Sequence, residues 1–152
     1  MKGTMYTDMK FISESLGNPK GFQLLYRASE DGFGAKEFHK HCDNISDTFV
    51  LIRTEFGRTI AGYTHYKWNQ VKGGYVHDAG RKSFLLQLDL RQKLNPISDN
   101  CLIYCDGGYG PTFGGGFDLS ISDNSNSNSN SYSRIGDTYN INSANRHVYG
   151  SQ

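Results

Sequence analysis

The chain has no surplus of charge of either sign: 16 basic residues stand against 15 acidic ones, a net charge of +1. Nucleic-acid binding draws on a basic footprint that displaces phosphate counterions. Here the longest basic clusters are pairs such as Arg81-Lys82, so no nucleic-acid partner is expected. A basic amphipathic helix for a membrane surface is missing too. No apolar run approaches the ~20 residues that span a bilayer, so membrane insertion is not expected. Residues 1–10 lack the apolar core of a signal peptide. Proline is scarce, at 3, and cysteine, also 3, is odd in number and too sparse for a disulfide scaffold. Together these absences point to a cytoplasmic, reducing compartment, where the Asn44-Ile45-Ser46 sequon stays idle.

What the chain does have is aromatics and glycine: 10 Tyr, 9 Phe, 1 Trp and 18 Gly in 152 residues. Such a composition favours strands joined by tight turns over a helical bundle. The length suits one domain, or one domain plus a tail. Residues 1–122 read as the main body. Residues 123–133 are almost only Asn and Ser, too polar to offset the entropy of ordering, and are expected to form a mobile loop. Residues 134–152 are the polar remainder.

Phe11, Ile12 and Leu16 fall on helical spacing, which predicts a helix over residues 8–16, ended by Gly17-Asn18-Pro19. Residues 22–26 form a short apolar run and are expected to be a buried strand. Residues 29–34 are turn-like. A second helix is expected over residues 35–42, with Ala35, Phe38 and Cys42 inward and Gly34 at its N-cap. Residues 48–54 and 58–64 read as a hairpin around Glu55-Phe56-Gly57. Further strands are expected at residues 83–90, 101–105 and 117–122. The glycine-rich run of residues 107–116 lies between the last two.

Catalytic patterns are hard to find. The glycine run carries neither a following Lys-Ser/Thr nor a G-x-G-x-x-G helix opening, so it is read as close backbone packing or a sharp turn rather than a phosphate cradle. His39, His41 and Cys42 offer metal-ligand chemistry, but a structural zinc wants four ligands in paired spacings. Cys101 and Cys105 on one strand would stand roughly 13 Å apart, too far for one ion. Both histidines are therefore expected on the surface and Cys42 in the core. No G-x-S-x-G elbow and no H-E-x-x-H is present. Glu30, Asp31 and Asp106 precede glycines and read as turn acids. No catalytic residue, metal or cofactor is expected.

The order of segments says more. Leu24-Leu25-Tyr26-Arg27-Ala28-Ser29 is followed by Asp31-Gly32-Phe33, Phe38-His39 and Cys42-Asp43. Then come Leu51-Ile52-Arg53-Thr54, Ala61-Gly62-Tyr63-Thr64 and Trp68, and finally Gly110-Pro111-Thr112-Phe113-Gly114-Gly115-Gly116-Phe117-Asp118-Leu119. From about Leu16 to Ile121 this closely resembles the TLDc domain, in the short form of protists and invertebrates. The resemblance implies an α+β, β-dominated fold: a two-sheet antiparallel β-sandwich flanked by short helices. It implies no catalytic residues. It also implies a non-enzymatic protein-interaction domain in oxidative-stress protection, or in regulation of the cytosolic V-type ATPase, whose subunits become the expected partners. The family includes the oxidation-resistance proteins.

Two departures stand out. Gly34 replaces the family's usual serine, and residues 142–152 lack the family's closing-strand pattern, so that either the strand is degenerate around residues 146–149 or the chain is cut short before it. A missing strand would expose a sheet edge to pairing with another chain. Two other functions compete with the interaction domain. One is an accessory subunit of a large assembly. The other is a thiol-dependent oxidative-defence enzyme built on Cys42, for which an inward thiol is unsuited. The expected binding face combines the loop Asp31, Gly32 and Phe33 with the rim Tyr66 and Trp68, since exposed Tyr and Trp often anchor interfaces.

Overall fold

Apolar residues recur at a helical spacing in residues 11–16 and 35–42, and β-branched and aromatic residues are frequent in residues 48–64, so helices precede strands. The computed structural model describes residues 2–69, 73–77 and 79–140. Among these are helices α1 (Lys2–Ser15), α2 (Ala28–Asp31) and α3 (Ala35–Cys42). The strands are β1 (Thr48–Arg53), β2 (Thr59–Thr64), β3 (Gly74–Val76), β4 (Ser83–Gln87), β5 (Gln92–Leu94), β6 (Ile103–Cys105), β7 (Tyr109–Phe113), β8 (Leu119–Ser122) and β9 (Tyr132–Ser133). They form a four-stranded sheet, β1-β2-β4-β5, and a five-stranded sheet, β3-β6-β7-β8-β9. All pairings within the two sheets are antiparallel. The fold is thus a two-sheet β-sandwich with short helices.

The main core lies between the sheets. Leu85 and Leu94 of the first sheet meet Ile103, Cys105, Phe113 and Leu119 of the second, with Phe38 and Cys42 of α3 at the side. Trp68 is fully buried there. Its Nε1 donates to Thr48 Oγ1 at 2.9 Å, and its ring stands edge-on to Phe38 and Phe113. A second cluster lies on the other face of the first sheet, where α1 brings Ile12 against Ala61, Phe84, Leu86 and Leu88. Strand β4 is buried on both faces, which is why its sequence Ser-Phe-Leu-Leu does not alternate. Arg91 pairs with Asp8 at 2.6 Å and Lys93 donates to the Ser15 carbonyl at 2.8 Å, fastening the middle and the C-terminal end of α1.

Several expectations are corrected. Residues 22–26 are not a strand: Phe22 and Leu24 point to solvent, and only Leu25 and Tyr26 reach the core. Helix α1 begins earlier than residue 8, and a short helix, α2, overlaps the segment read as turn. The glycine-rich run contains β7. Pro111 fits there because the β7–β8 register shifts between Tyr109 and Thr112, the irregular setting where a strand tolerates proline. Strands β3, β5 and β9 are too short to show a period. The Asn/Ser tract is exposed, as its composition requires, yet bonded to itself: Asn128 Nδ2 donates to the carbonyls of Asp123 and Asn124, at 2.8 and 2.9 Å. The expected degenerate strand near residues 146–149 lies outside the described residues.

One close approach sets the spacing of the sandwich. A Cβ added at Gly62 would stand 2.5 Å from Phe113 Cζ, so the bare glycine of β2 is the seat for that ring. Gly62→Ala should therefore push the sheets apart locally and cost about 1–3 kcal/mol, as overpacking does. A lowered urea midpoint with unchanged far-ultraviolet circular dichroism is the expected reading.

Candidate functional site

The register of the second sheet lines up Tyr75, Tyr104, Thr112, Ser120 and Tyr132 as directly opposed neighbours. Opposed residues share a face, and the alternate row, Ile103, Phe113 and Leu119, fills the core. The tyrosine row therefore faces outward. Tyr104 is the hub of an aromatic cluster, with its ring centroid 5.0 Å from Tyr75, 5.0 Å from Phe117 and 5.7 Å from Tyr109. Tyr75 and Tyr109 are each 38% exposed. Beside these rings runs an open groove of about 690 Å³, lined by Tyr109, Phe117 and Tyr132 and by polar residues including Ser120 and Asn130. Mutually packed aromatics on an open face form a preordered contact surface, because tyrosine presents large area at little entropy cost.

Two buried polar groups hold the loops that carry these rings. The first is His39 on α3. Its Nδ1 lies 2.7 Å from Asp43 Oδ1, and its Nε2 lies 3.0 Å from the carbonyl oxygens of both Asp106 and Tyr109. All three neighbours are oxygen acceptors, so the ring is held through both of its nitrogens. The β6–β7 loop, and Tyr109 with it, is thereby tied to the helix. The expectation of a surface His39 is corrected: it is 1% exposed, because it caps this loop from beneath.

The second is Asp118, fully buried at the start of β8. Its Oδ1 accepts the N–H groups of Gly136 and Asp137 at 2.7 and 3.0 Å, and its Oδ2 accepts that of Thr138 at 2.9 Å. Burial pushes its carboxyl up, against the pull of these backbone donors. Space for the carboxylate comes from the preceding turn. A Cβ at Gly114 would overlap Asp118 Oδ2, and Gly114 and Gly116 both have positive φ, 86° and 70°. The glycines are thus a sharp turn with close packing, as read from the sequence. Phe117 comes next with φ 64°, a conformation costing a residue with a Cβ roughly 1–2 kcal/mol. That strained backbone aims its ring at Tyr104 and Tyr109.

The residues read from the sequence as a binding face range from exposed Asp31 to buried Trp68. Asp31 Oδ2 accepts the Arg27 N–H at 2.7 Å, and the Gly32 carbonyl accepts the Tyr26 hydroxyl at 2.6 Å, so this loop braces itself. Phe33 is half-buried. Tyr66 is half-buried against the main core. Trp68 is a correction: instead of standing at a rim it is 0% exposed, because β2 ends at Thr64 and the chain then turns inward. Cys42 is buried as expected, and burial pushes its thiol up to about 12. A thiol held protonated under the protein is the opposite of a reactive one. Sequence reading missed Tyr104, Tyr109 and Phe117. The available signal was aromatics spaced among the glycines of residues 104–117.

Comparison with known proteins adds one finding. The family model of the TLDc domain matches residues 1–152, the whole chain. No curated protein matches it.

Two measurements check the geometry. Asp118→Asn keeps one acceptor oxygen but turns an NH₂ toward backbone donors, so it should cost about 1–3 kcal/mol. Near-ultraviolet circular dichroism should weaken as the aromatic loops loosen. Cys42 should resist a thiol reagent at pH 8 in the native protein and react only on unfolding, because its thiolate is negligible that far below about 12. Labelling of Cys42 at the rate of a free peptide thiol would contradict its burial.

Proposed function

The chain belongs to the TLDc domain family, and on that footing we propose that it is a non-enzymatic protein-interaction domain. Its contact surface is the outer aromatic face of the second sheet. One observation carries this reading: Phe117 is held at φ 64° by a turn built around buried Asp118, in a position where its ring faces outward among tyrosines. Strain kept by a supporting structure is found chiefly where a site needs a particular geometry. The core does not need this ring, which packs on the outer tyrosines instead. The thiol-enzyme reading has lost its reagent, since Cys42 is buried and held protonated.

The finer reading is that the partner is the V-type ATPase, engaged on its cytosolic side, with protection against oxidative stress as the downstream effect. It rests on the family and on the protein-recognition chemistry of the aromatic face. No helix among the described residues is long and apolar enough to cross a membrane, and an aromatic face of this kind suits recognition of a partner from solution.

Titration into purified V-type ATPase, following ATP hydrolysis and complex integrity, tests it. The expected result is altered hydrolysis or disassembly at micromolar concentration. Phe117→Gly should abolish the effect while leaving stability level or raised, because glycine relieves the positive φ. If wild type neither binds nor alters the complex, the V-type ATPase is not the partner. If Phe117→Gly is as active as wild type, the aromatic face is not the contact surface.

A further inference from the structure

Free sheet edges invite pairing with other chains, and proteins blunt them by shortness, bulges, proline, lysine or a covering element. Among the described residues, three of the four sheet edges are short: β3 and β5 have three residues and β9 has two. The fourth, β1, has six residues, Thr-Phe-Val-Leu-Ile-Arg, with no proline, no lysine and an unbroken register against β2.

The backbone bonds around the hairpin show which groups of β1 face outward. Leu88 N–H donates to the Thr59 carbonyl and His65 N–H to the Lys82 carbonyl, so the odd residues of β2 point toward β4. The even residues of β2 point toward β1, and the Thr54 N–H bonded to the Arg58 carbonyl confirms that phase. The partners of the even residues are Thr48, Val50 and Ile52. The N–H and C=O groups of Phe49, Leu51 and Arg53 therefore face away from the sheet. Among the described residues no backbone hydrogen bond reaches them. The Leu51 side chain beside them is 57% exposed.

We propose that β1 is a dimer strand: two copies of this chain pair β1 antiparallel about a two-fold axis at Leu51, joining two four-stranded sheets into one. The strand is complementary to itself. With Leu51 opposite Leu51, Phe49 of each chain lies opposite Arg53 of the other, and all six outward groups on each chain find partners. No other antiparallel register pairs all three residues. The remaining opposed pairs are Val50 with Ile52 and Thr48 with Thr54, apolar on apolar and hydroxyl on hydroxyl. Within β1 no like charges meet, and the guanidinium of Arg53 comes over the Phe49 ring, a favourable cation–aromatic pairing. Directly opposed residues share a face, so both α1 helices lie on one side of the joined sheet and both five-stranded sheets on the other. The aromatic face stays open in the dimer, and failure of this pairing would leave the interaction-domain reading untouched.

Sedimentation velocity over a wide concentration range and cysteine cross-linking test the pairing. Wild type should move from the mass of one chain to twice that mass as concentration rises. In a Cys101→Ser background, Leu51→Cys should form a disulfide-linked dimer on mild oxidation. Opposed Cα atoms in a hydrogen-bonded pair stand about 5.5 Å apart, within the roughly 4.4–6.8 Å that a disulfide spans. Phe49→Cys in the same background should not link, because its opposite number is Arg53. Leu51→Pro removes an outward N–H and spares the ladder to β2, so it should stay folded and monomeric. If it does not fold, Leu51→Lys serves the same purpose by adding charge at the axis. A wild type that is monomeric at every concentration overturns the proposal. So does equal cross-linking of Phe49→Cys, or a folded Leu51 variant that still dimerises.

Discussion

His39 occupies a helix, yet its ring bonds carbonyl oxygens 67 and 70 residues further along the chain. A buried imidazole between a carboxylate and two carbonyls leaves little freedom, since each acceptor would otherwise lie unpaired away from water. The consequence is positional. The segment from Asp106 to Tyr109 cannot shift along α3 without breaking these bonds, and β7 begins where that segment ends. The sandwich is thus registered to its helix by one side chain. The neighbouring Phe38 ring, 5.1 Å from the imidazole and 5.3 Å from Trp68, carries the same register into the core.

Asp118 does the equivalent task at the other end of β7 and β8. A carboxylate that gathers three successive backbone N–H groups forms a polar knot in an apolar setting. Burial raises the cost of its charge, and the donors offset part of that cost. Directly after the last of these donors stands Tyr139, fully buried, whose hydroxyl donates to the Leu102 carbonyl at 2.7 Å. Asp118 therefore closes the second sheet from the side opposite His39. Between the two anchors, Tyr104, Tyr109 and Phe117 face outward on a floor that cannot relax toward them. Rigidity below and exposure above are what a contact surface needs if binding is not to be charged with ordering its own side chains.

Much of the fold is legible in the sequence. The stripe Ala35, Phe38 and Cys42 announces α3 with its observed bounds, since a spacing of three and four has one helical meaning. The β1–β2 hairpin is as clear, because β-branched residues flank a glycine turn. Strand β7 is hidden by Gly110 and Pro111, whose presence argues against a strand until a register shift makes room for them. Phe22 and Leu24 mislead in the other direction: an apolar run implies burial only when a partner surface is free. The site is the least legible part. Trp68 draws attention because tryptophan is rare, but its position depends on a turn after Thr64 that no period announces. Tyr75, Tyr104, Tyr109 and Phe117 come from separate segments and meet only through strand pairing, which one sequence does not display. His39 is misplaced for a related reason. Its burial comes from acceptors contributed by a distant loop, not from its own helix.

One bond links the two ends of this architecture in time as well as space. Gly34 has no side chain to cap α3, and the N–H of Ala35 is taken instead by Asp123 Oδ1 at 2.7 Å, 88 residues later. A helix that a ribosome makes early thus awaits an acceptor that emerges last among its neighbours. At roughly 5–20 residues per second the delay is about 4–18 s. During that interval the first turn of α3 has only water for its leading N–H groups. The first turn of α3 is therefore completed late: the polar tract, which contributes nothing to the core, begins with the residue that finishes the helix.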